Sequence, residues 1–89
     1  MNEIVLFTLN GCGHCQDLKK LLDDENIDYT DLEVIENSDI WEDVVKKTSN
    51  EFVPTIFINI NRTNEGPILI PDKDFNSSEE ALKIIKKYL

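Results

Sequence analysis

The only two cysteines of the chain stand three residues apart, as Cys12-Gly13-His14-Cys15, where one hydrophobic pattern gives way to another. Before them runs Ile4-Val5-Leu6-Phe7-Thr8-Leu9, rich in β-branched and aromatic residues, as expected of a strand buried on both faces. Gly11 and Gly13 punctuate the change. From Cys15 the spacing becomes helical, with Leu18, Leu21 and Leu22 on one face and Asn26 as the stop signal. The dithiol therefore lies between a buried strand and a helix start, and this placement constrains fold and chemistry together.

The remaining pattern reads as one domain spanning residues 1–89, without repeat or linker. A second strand is expected over residues 28–34, with Thr30, Leu32 and Val34 on one face. The next helix is expected to be capped by Asn37 or Ser38 and to bury Ile40, Trp41, Val44 and Val45. Its acids near the start and Lys46 and Lys47 near the end complement the helix dipole. A third strand over 55–60 places Ile56, Ile58 and Ile60 on one face. A polar turn over 61–66 leads to a fourth strand over 68–70. The last helix opens at Ser77 with Glu80 three residues on, a capping-box pattern. Its apolar face is Ala81, Leu82, Ile84, Ile85, Tyr88 and Leu89. The order is β-α-β-α-β-β-α, an α/β fold with a four-stranded mixed sheet and helices on both faces.

At a helix N-terminus, unpaired N–H groups and the positive end of the dipole favour a thiolate. Cys12 is thus the expected nucleophile of thiol–disulfide exchange. Cys15, one turn further on and facing the side of Leu18 and Leu22, is the expected resolving thiol. Gly13 leaves room for a substrate backbone. His14, the only histidine, would stabilise the thiolate form when charged and so raise the reduction potential; the bland alternative is an exposed polar residue. A closed zinc site needs four ligands, and no other cysteine or histidine supplies them. Two inert core cysteines would not call for glycines beside a helix start. No metal site is expected.

Eighteen acidic residues against nine basic ones give a net charge of −9. That balance argues against nucleic acid, which requires clustered Lys and Arg, and against an anionic membrane surface. Two cysteines closing almost no loop cannot staple a secreted mini-protein. Residues 1–3 lack a basic start, and the first apolar run is too short for a secretory signal, so a cytoplasmic protein is expected. Asn61-Arg62-Thr63 and Asn76-Ser77-Ser78 match the glycosylation pattern but read as turn and cap residues. Tyr29 and Trp41 read as core aromatics rather than substrate contacts.

The strand–Cys-x-x-Cys–helix start, the Val53-Pro54-Thr55 step before the third strand and the element order together resemble the glutaredoxin–thioredoxin superfamily. The length is similar to glutaredoxin, whereas the tetrad Cys12-Gly13-His14-Cys15 resembles the active site of protein disulfide isomerases. The resemblance implies Cys12 as nucleophile and Cys15 as resolving cysteine. It also implies a cis Pro54 packed against the active site, and a Val53 backbone that pairs with an extended substrate or glutathione. Three departures stand out. Leu9 occupies the place of the usual lysine three residues before the nucleophile. Phe52 replaces the usual Thr before Val-Pro. Ile70-Pro71-Asp72-Lys73-Asp74 replaces the usual Gly-Gly pair and following acid, with Lys73 or Asp74 as the available substitutes. With the −9 charge, these departures count against tight binding of anionic glutathione.

The reading that follows is a dithiol–disulfide oxidoreductase, monomeric and without a bound cofactor. Its partners are a disulfide-containing protein and a thiol reductant, either glutathione as co-substrate or a thioredoxin-reductase-like flavoenzyme. Two other classes compete. A copper-chaperone-like module also carries Cys-x-x-Cys after a first strand, but its order is β-α-β-β-α-β. A thioredoxin-fold interaction protein would anchor a partner through the dithiol without turnover.

Overall fold

The computed structural model describes all 89 residues. Its elements are β1 (Glu3–Thr8), α1 (Gly13–Asp24), β2 (Thr30–Glu33), α2 (Ser38–Thr48), β3 (Thr55–Asn59), a 3₁₀ turn (Ile60–Arg62), β4 (Ile68–Leu69) and α3 (Ser78–Lys86). The sheet order is β2-β1-β3-β4. β1 runs parallel to β2 and antiparallel to β3, and β3 is antiparallel to β4. This is the expected α/β architecture, and it is not the order of a copper-chaperone module.

β1 is central and buried from Ile4 to Thr8. Its alternate side chains feed two cores. Ile4 and Leu6 join Ile56 and Ile58 of β3 beneath Leu18 and Leu22 of α1 and Ala81 and Ile85 of α3. Val5 and Phe7 face the other way, against Val44 of α2 with Trp41 and Leu32. The Phe7 and Trp41 ring centroids lie 5.5 Å apart. Helices therefore cover both faces, α1 and α3 on one and α2 on the other. Trp41 is a packing residue, and so is Tyr29, which lies against the larger core.

Helix α1 ends as Asn26 predicts. Asn26 adopts φ 56°, its N–H donates to Asp23 O, and Ile27 N–H reaches back to Leu22 O. That pair of bonds is a Schellman cap, and Asn tolerates its left-handed residue. In α3 the Ser77 side chain accepts from Glu80 N–H at 3.1 Å. The Glu80 carboxylate reciprocates one residue earlier than a capping box would, accepting from Asn76 N–H.

Several expected details are corrected. β1 stops at Thr8, and Leu9 is 38% exposed because the chain turns there. β2 is shorter than 28–34. Asn37 is the N-cap residue of α2, but its side chain donates to Glu33 O instead of accepting from the helix. Ile40 is exposed, since α2 presents only the narrow stripe of Trp41 and Val44 to the sheet. Leu89 is exposed beyond the end of α3.

Far from the dithiol, at the start of β1, the Glu3 carboxylate accepts from Thr30 Oγ1 at 2.8 Å and Asn59 Nδ2 at 3.0 Å. These bonds, in that order of weight, hold its pKa below 4.5 against a smaller opposing effect of burial, with help from the Arg62 charge. A depressed carboxylate contributes stability above its unfolded pKa and loses it as pH falls through the folded one. Urea unfolding across pH should therefore show wild type above Glu3→Gln by a small constant margin at neutral pH. The margin should shrink towards zero on acidification below about pH 4.5. A margin independent of pH would contradict the assignment.

Candidate active site

The dithiol sits at the C-terminal end of β1, where Leu9 opens a tight turn. Cys12 N–H donates to Leu9 O at 3.0 Å, and Gly11 holds φ 87°. That is the third position of a type II turn, which strongly favours glycine. Cys12 is the N-cap residue of α1, and its sulfur accepts from Cys15 N–H at 3.2 Å. The sulfur thus takes the place of the usual capping oxygen at one of the helix's orphan donors. No acidic residue stands in the first turn of α1 to offset the dipole.

Cys12 and Cys15 are joined by a disulfide, with Cα atoms 5.3 Å apart. Their exposure differs sharply. Cys12 is half-buried, whereas Cys15 is 1% exposed, one helical turn inwards on the side of Leu18. Gly13 is exposed, and a side chain there would meet nothing within 4 Å. His14 is exposed, and its ring makes no hydrogen bond within the protein. It is close in sequence to both sulfurs but is held against neither.

Val53 and Pro54 are brought up from the other side of the sheet. The Val53–Pro54 peptide is cis, Pro54 is buried, and Val53 O lies 4.0 Å from Cys12 Sγ. The Val53 N–H has no partner within the protein. The loop that presents them is fixed by two buried polar residues not singled out in the sequence. Asn50 donates through Nδ2 to Thr55 Oγ1 at 2.9 Å and to Phe52 O at 3.2 Å. Thr55 Oγ1 donates to Phe52 O at 2.7 Å, and Phe52 N–H returns to Asn50 Oδ1. Asn after a helix followed by Thr at a strand start is too common a pair to have marked this network.

A second brace lies behind the dithiol loop. Asp31 of β2 accepts from Thr8 Oγ1 at 2.6 Å and pairs with Lys19 of α1 at 2.6 Å, tying β1, β2 and α1 together. On the open side a groove of about 200 Å³ runs from His14 to the segment after β4, lined by Phe52, Pro54, Pro71, Asp72 and Phe75. Phe52 is 71% exposed at its edge. Of the substitutes expected after β4, Asp74 is engaged in accepting from Ile70 N–H at 2.7 Å. Lys73 is exposed and does not line the groove. No three His, Cys, Asp or Glu side chains gather as metal ligands. No helix is long and apolar enough to cross a membrane.

Known proteins resemble the chain over this framework. The glutaredoxin family model matches residues 4–61, from β1 to the 3₁₀ turn. A protein named "Glutaredoxin-2, mitochondrial" of Rattus norvegicus is 34% identical over 61 residues, covering 65% of this chain and 39% of that one. Its Homo sapiens counterpart is 34% identical over 61 residues, covering 65% and 37%. "Glutaredoxin 1" of Rickettsia bellii is 33% identical over 63 residues, covering 66% and 64%. The chain thus matches well under half the length of the mammalian relatives. Among solved structures, a buckwheat glutaredoxin–glutathione complex superposes with a TM-score of 0.66 at 24% identity, covering 97% of this chain and 70% of that one. A malarial protein superposes with a TM-score of 0.57 at 21% identity, covering 100% and 98%. At those identities the two structures speak for the fold alone.

Proposed function

Because the chain belongs to the glutaredoxin family, we propose that it is a thiol–disulfide oxidoreductase with Cys12 as nucleophile and Cys15 as resolving thiol. The observation that carries this reading is the unequal exposure of two bonded sulfurs at one helix start. An incoming disulfide meets Cys12, and only Cys12 can reach Cys15.

In the reduced protein, the Cys15 N–H and the α1 dipole stabilise a Cys12 thiolate. That thiolate attacks one sulfur of a substrate disulfide. A bond forms between them, the substrate S–S bond breaks, and the departing sulfur leaves with the electron pair and takes a proton. Cys15 then loses its proton and attacks Cys12 Sγ, forming Cys12–Cys15 and expelling the second substrate thiol. Two electrons pass to the substrate. Two thiols of a reductant return them, with glutathione as co-substrate or a thioredoxin-reductase-like flavoenzyme supplying them.

Gly13 leaves the approach to Cys12 open, and the free Val53 N–H with its carbonyl pairs with an extended substrate backbone. Pro54 backs that contact. His14, exposed beside the dithiol, acts at a distance by favouring the thiolate form; its field is partly screened by solvent. The same reading takes the working form as a monomer in a reducing compartment such as the cytoplasm, acting without nucleic acid or membrane. The −9 charge is consistent with that choice of partners.

The reduction potential tests the reading. Equilibration with a glutathione redox buffer should place the Cys12–Cys15 couple at about −230 to −180 mV. His14→Ala should move it to a more negative value. A wild-type value near about −270 mV, or no shift in the variant, would contradict the role given to His14. Absence of exchange with the buffer would remove the oxidoreductase reading in favour of a static interaction protein.

A further inference from the structure

The groove beside the dithiol has a chemical character that the exchange mechanism does not use. Phe52, Pro54, Pro71 and Phe75 form its apolar wall, Asn76, Ser77 and Ser78 line the polar side towards α3, and its only ionisable lining residues are His14 and Asp72. No lysine or arginine faces it. At about 200 Å³ it is smaller than the ~300–1,000 Å³ of sites that enclose whole small ligands. It suits one bulky side chain. Phe52 at its edge is 71% exposed, and Leu9, where the turn into Cys12 begins, is 38% exposed. Of the two, Phe52 lines the groove, so an apolar side chain that enters it covers the exposed ring.

Charge points the same way. Asp72 in the groove wall and Glu51 beside Phe52 are acidic, on a chain of net charge −9. A substrate with two carboxylates finds no counter-cation in this groove and meets Asp72 instead.

Resting on the exchange reading above, we infer that the preferred substrate is a polypeptide disulfide with a bulky apolar residue beside its reactive cysteine and a basic residue nearby. The apolar side chain enters the groove between Phe52, Pro71 and Phe75. The peptide backbone lies along Val53, and the basic residue faces Asp72. Glutathione disulfide, anionic and without a bulky apolar group, is the poorer substrate.

The test uses the reduced full chain and four blocked peptides, each a disulfide-linked homodimer with the core X-Cys-Y. X is phenylalanine or alanine, and Y is lysine or glutamate. Glutathione disulfide and bis(2-hydroxyethyl) disulfide complete the set. Each rate constant, from acid quench and chromatography, is divided by that of dithiothreitol with the same disulfide to remove intrinsic reactivity. Phenylalanine should outrun alanine by about tenfold, the scale of partial burial of an aromatic side chain. Lysine should outrun glutamate by about two- to fivefold at low salt, as expected for a partly exposed charge pair. Glutathione disulfide should be slower than the phenylalanine–lysine peptide.

Phe52→Ser should bring the phenylalanine preference to within about twofold, and Asp72→Asn should erase most of the lysine preference. Equal corrected rates for the four peptides, or glutathione disulfide as the fastest, would overturn the inference while leaving exchange intact. No reaction with any disulfide, bis(2-hydroxyethyl) disulfide included, would instead sink the oxidoreductase reading. A dimer seen by light scattering and lost in Phe52→Ser would assign the groove to a second copy and also overturn the inference.

Discussion

Cys12→Ser should lower the rate of disulfide reduction by at least about a thousandfold, the scale lost when a covalent nucleophile is removed. Cys15→Ser should fail differently. Its Cys12 still attacks, but nothing resolves the product, so mixed disulfide accumulates in one burst and turnover stops. The difference follows from burial. Cys15, at 1% exposure and one turn inside α1, reaches Cys12 but not an outside disulfide. The Cys12→Ser side chain can still cap α1, whereas Cys15→Ser places a hydroxyl at a 1% exposed position, so circular dichroism is used to check that both variants are folded. Quenched-flow chromatography with mass detection distinguishes burst from absence of reaction. A Cys12→Ser protein that turns over at the wild-type rate would sink both roles.

Leu18→Ala should cost about 2–5 kcal/mol of folding free energy. Leu18 is fully buried in the larger core between α1, α3 and the sheet, and its inner face also touches the groove. Small domains have about 5–15 kcal/mol in total, so one such loss lowers Tm by about 10–30 °C. Because Leu18 lies one turn beyond Cys15, the cavity also loosens the seat of the resolving thiol. In urea unfolding monitored by circular dichroism, the midpoint should fall with little change of slope. Phe52→Ser, on the exposed edge of the groove, should change stability by no more than about 0.5 kcal/mol. A Leu18→Ala cost below about 1 kcal/mol would show that α1 is not anchored through this residue.

Much of the frame was legible because it rests on strong periodic signals. The apolar run of β1 predicted burial on both faces, and its side chains feed two cores on opposite sides of the sheet. Asn26 and Ser77 marked the end of α1 and the start of α3 through local backbone chemistry that needs no tertiary information. The dithiol was legible for the same reason, since its place between strand and helix is a matter of spacing.

What the spacing could not reveal depends on contacts distant in sequence. Ile40 shares a helical stripe with Val44, yet the sheet beneath α2 accommodates only Trp41 and Val44 at close range. The network of Asn50 and Thr55 that fixes Val53 arises from a loop folding back on itself. Phe52 departs from the usual Thr in the sequence, but its place in a groove depends on Pro71 and Phe75, which follow β4 and are distant in sequence. Glu33 is a further case. One carboxylate oxygen accepts from Ile35 and Glu36 N–H, while the other is buried without a partner, and no sequence pattern announces this.

The central claim, that Cys12 is the reactive thiolate and Cys15 its buried partner, is tested most directly by pH-resolved alkylation of the reduced wild-type protein. Brief exposure to iodoacetamide across pH 4–10, followed by peptide mapping, gives a rate for each sulfur. Cys12 should react first at every pH, with a midpoint below the free-cysteine value of about 8.5, while Cys15 stays protected. Equal labelling of the two, or a Cys12 midpoint at or above about 8.5, would contradict the account.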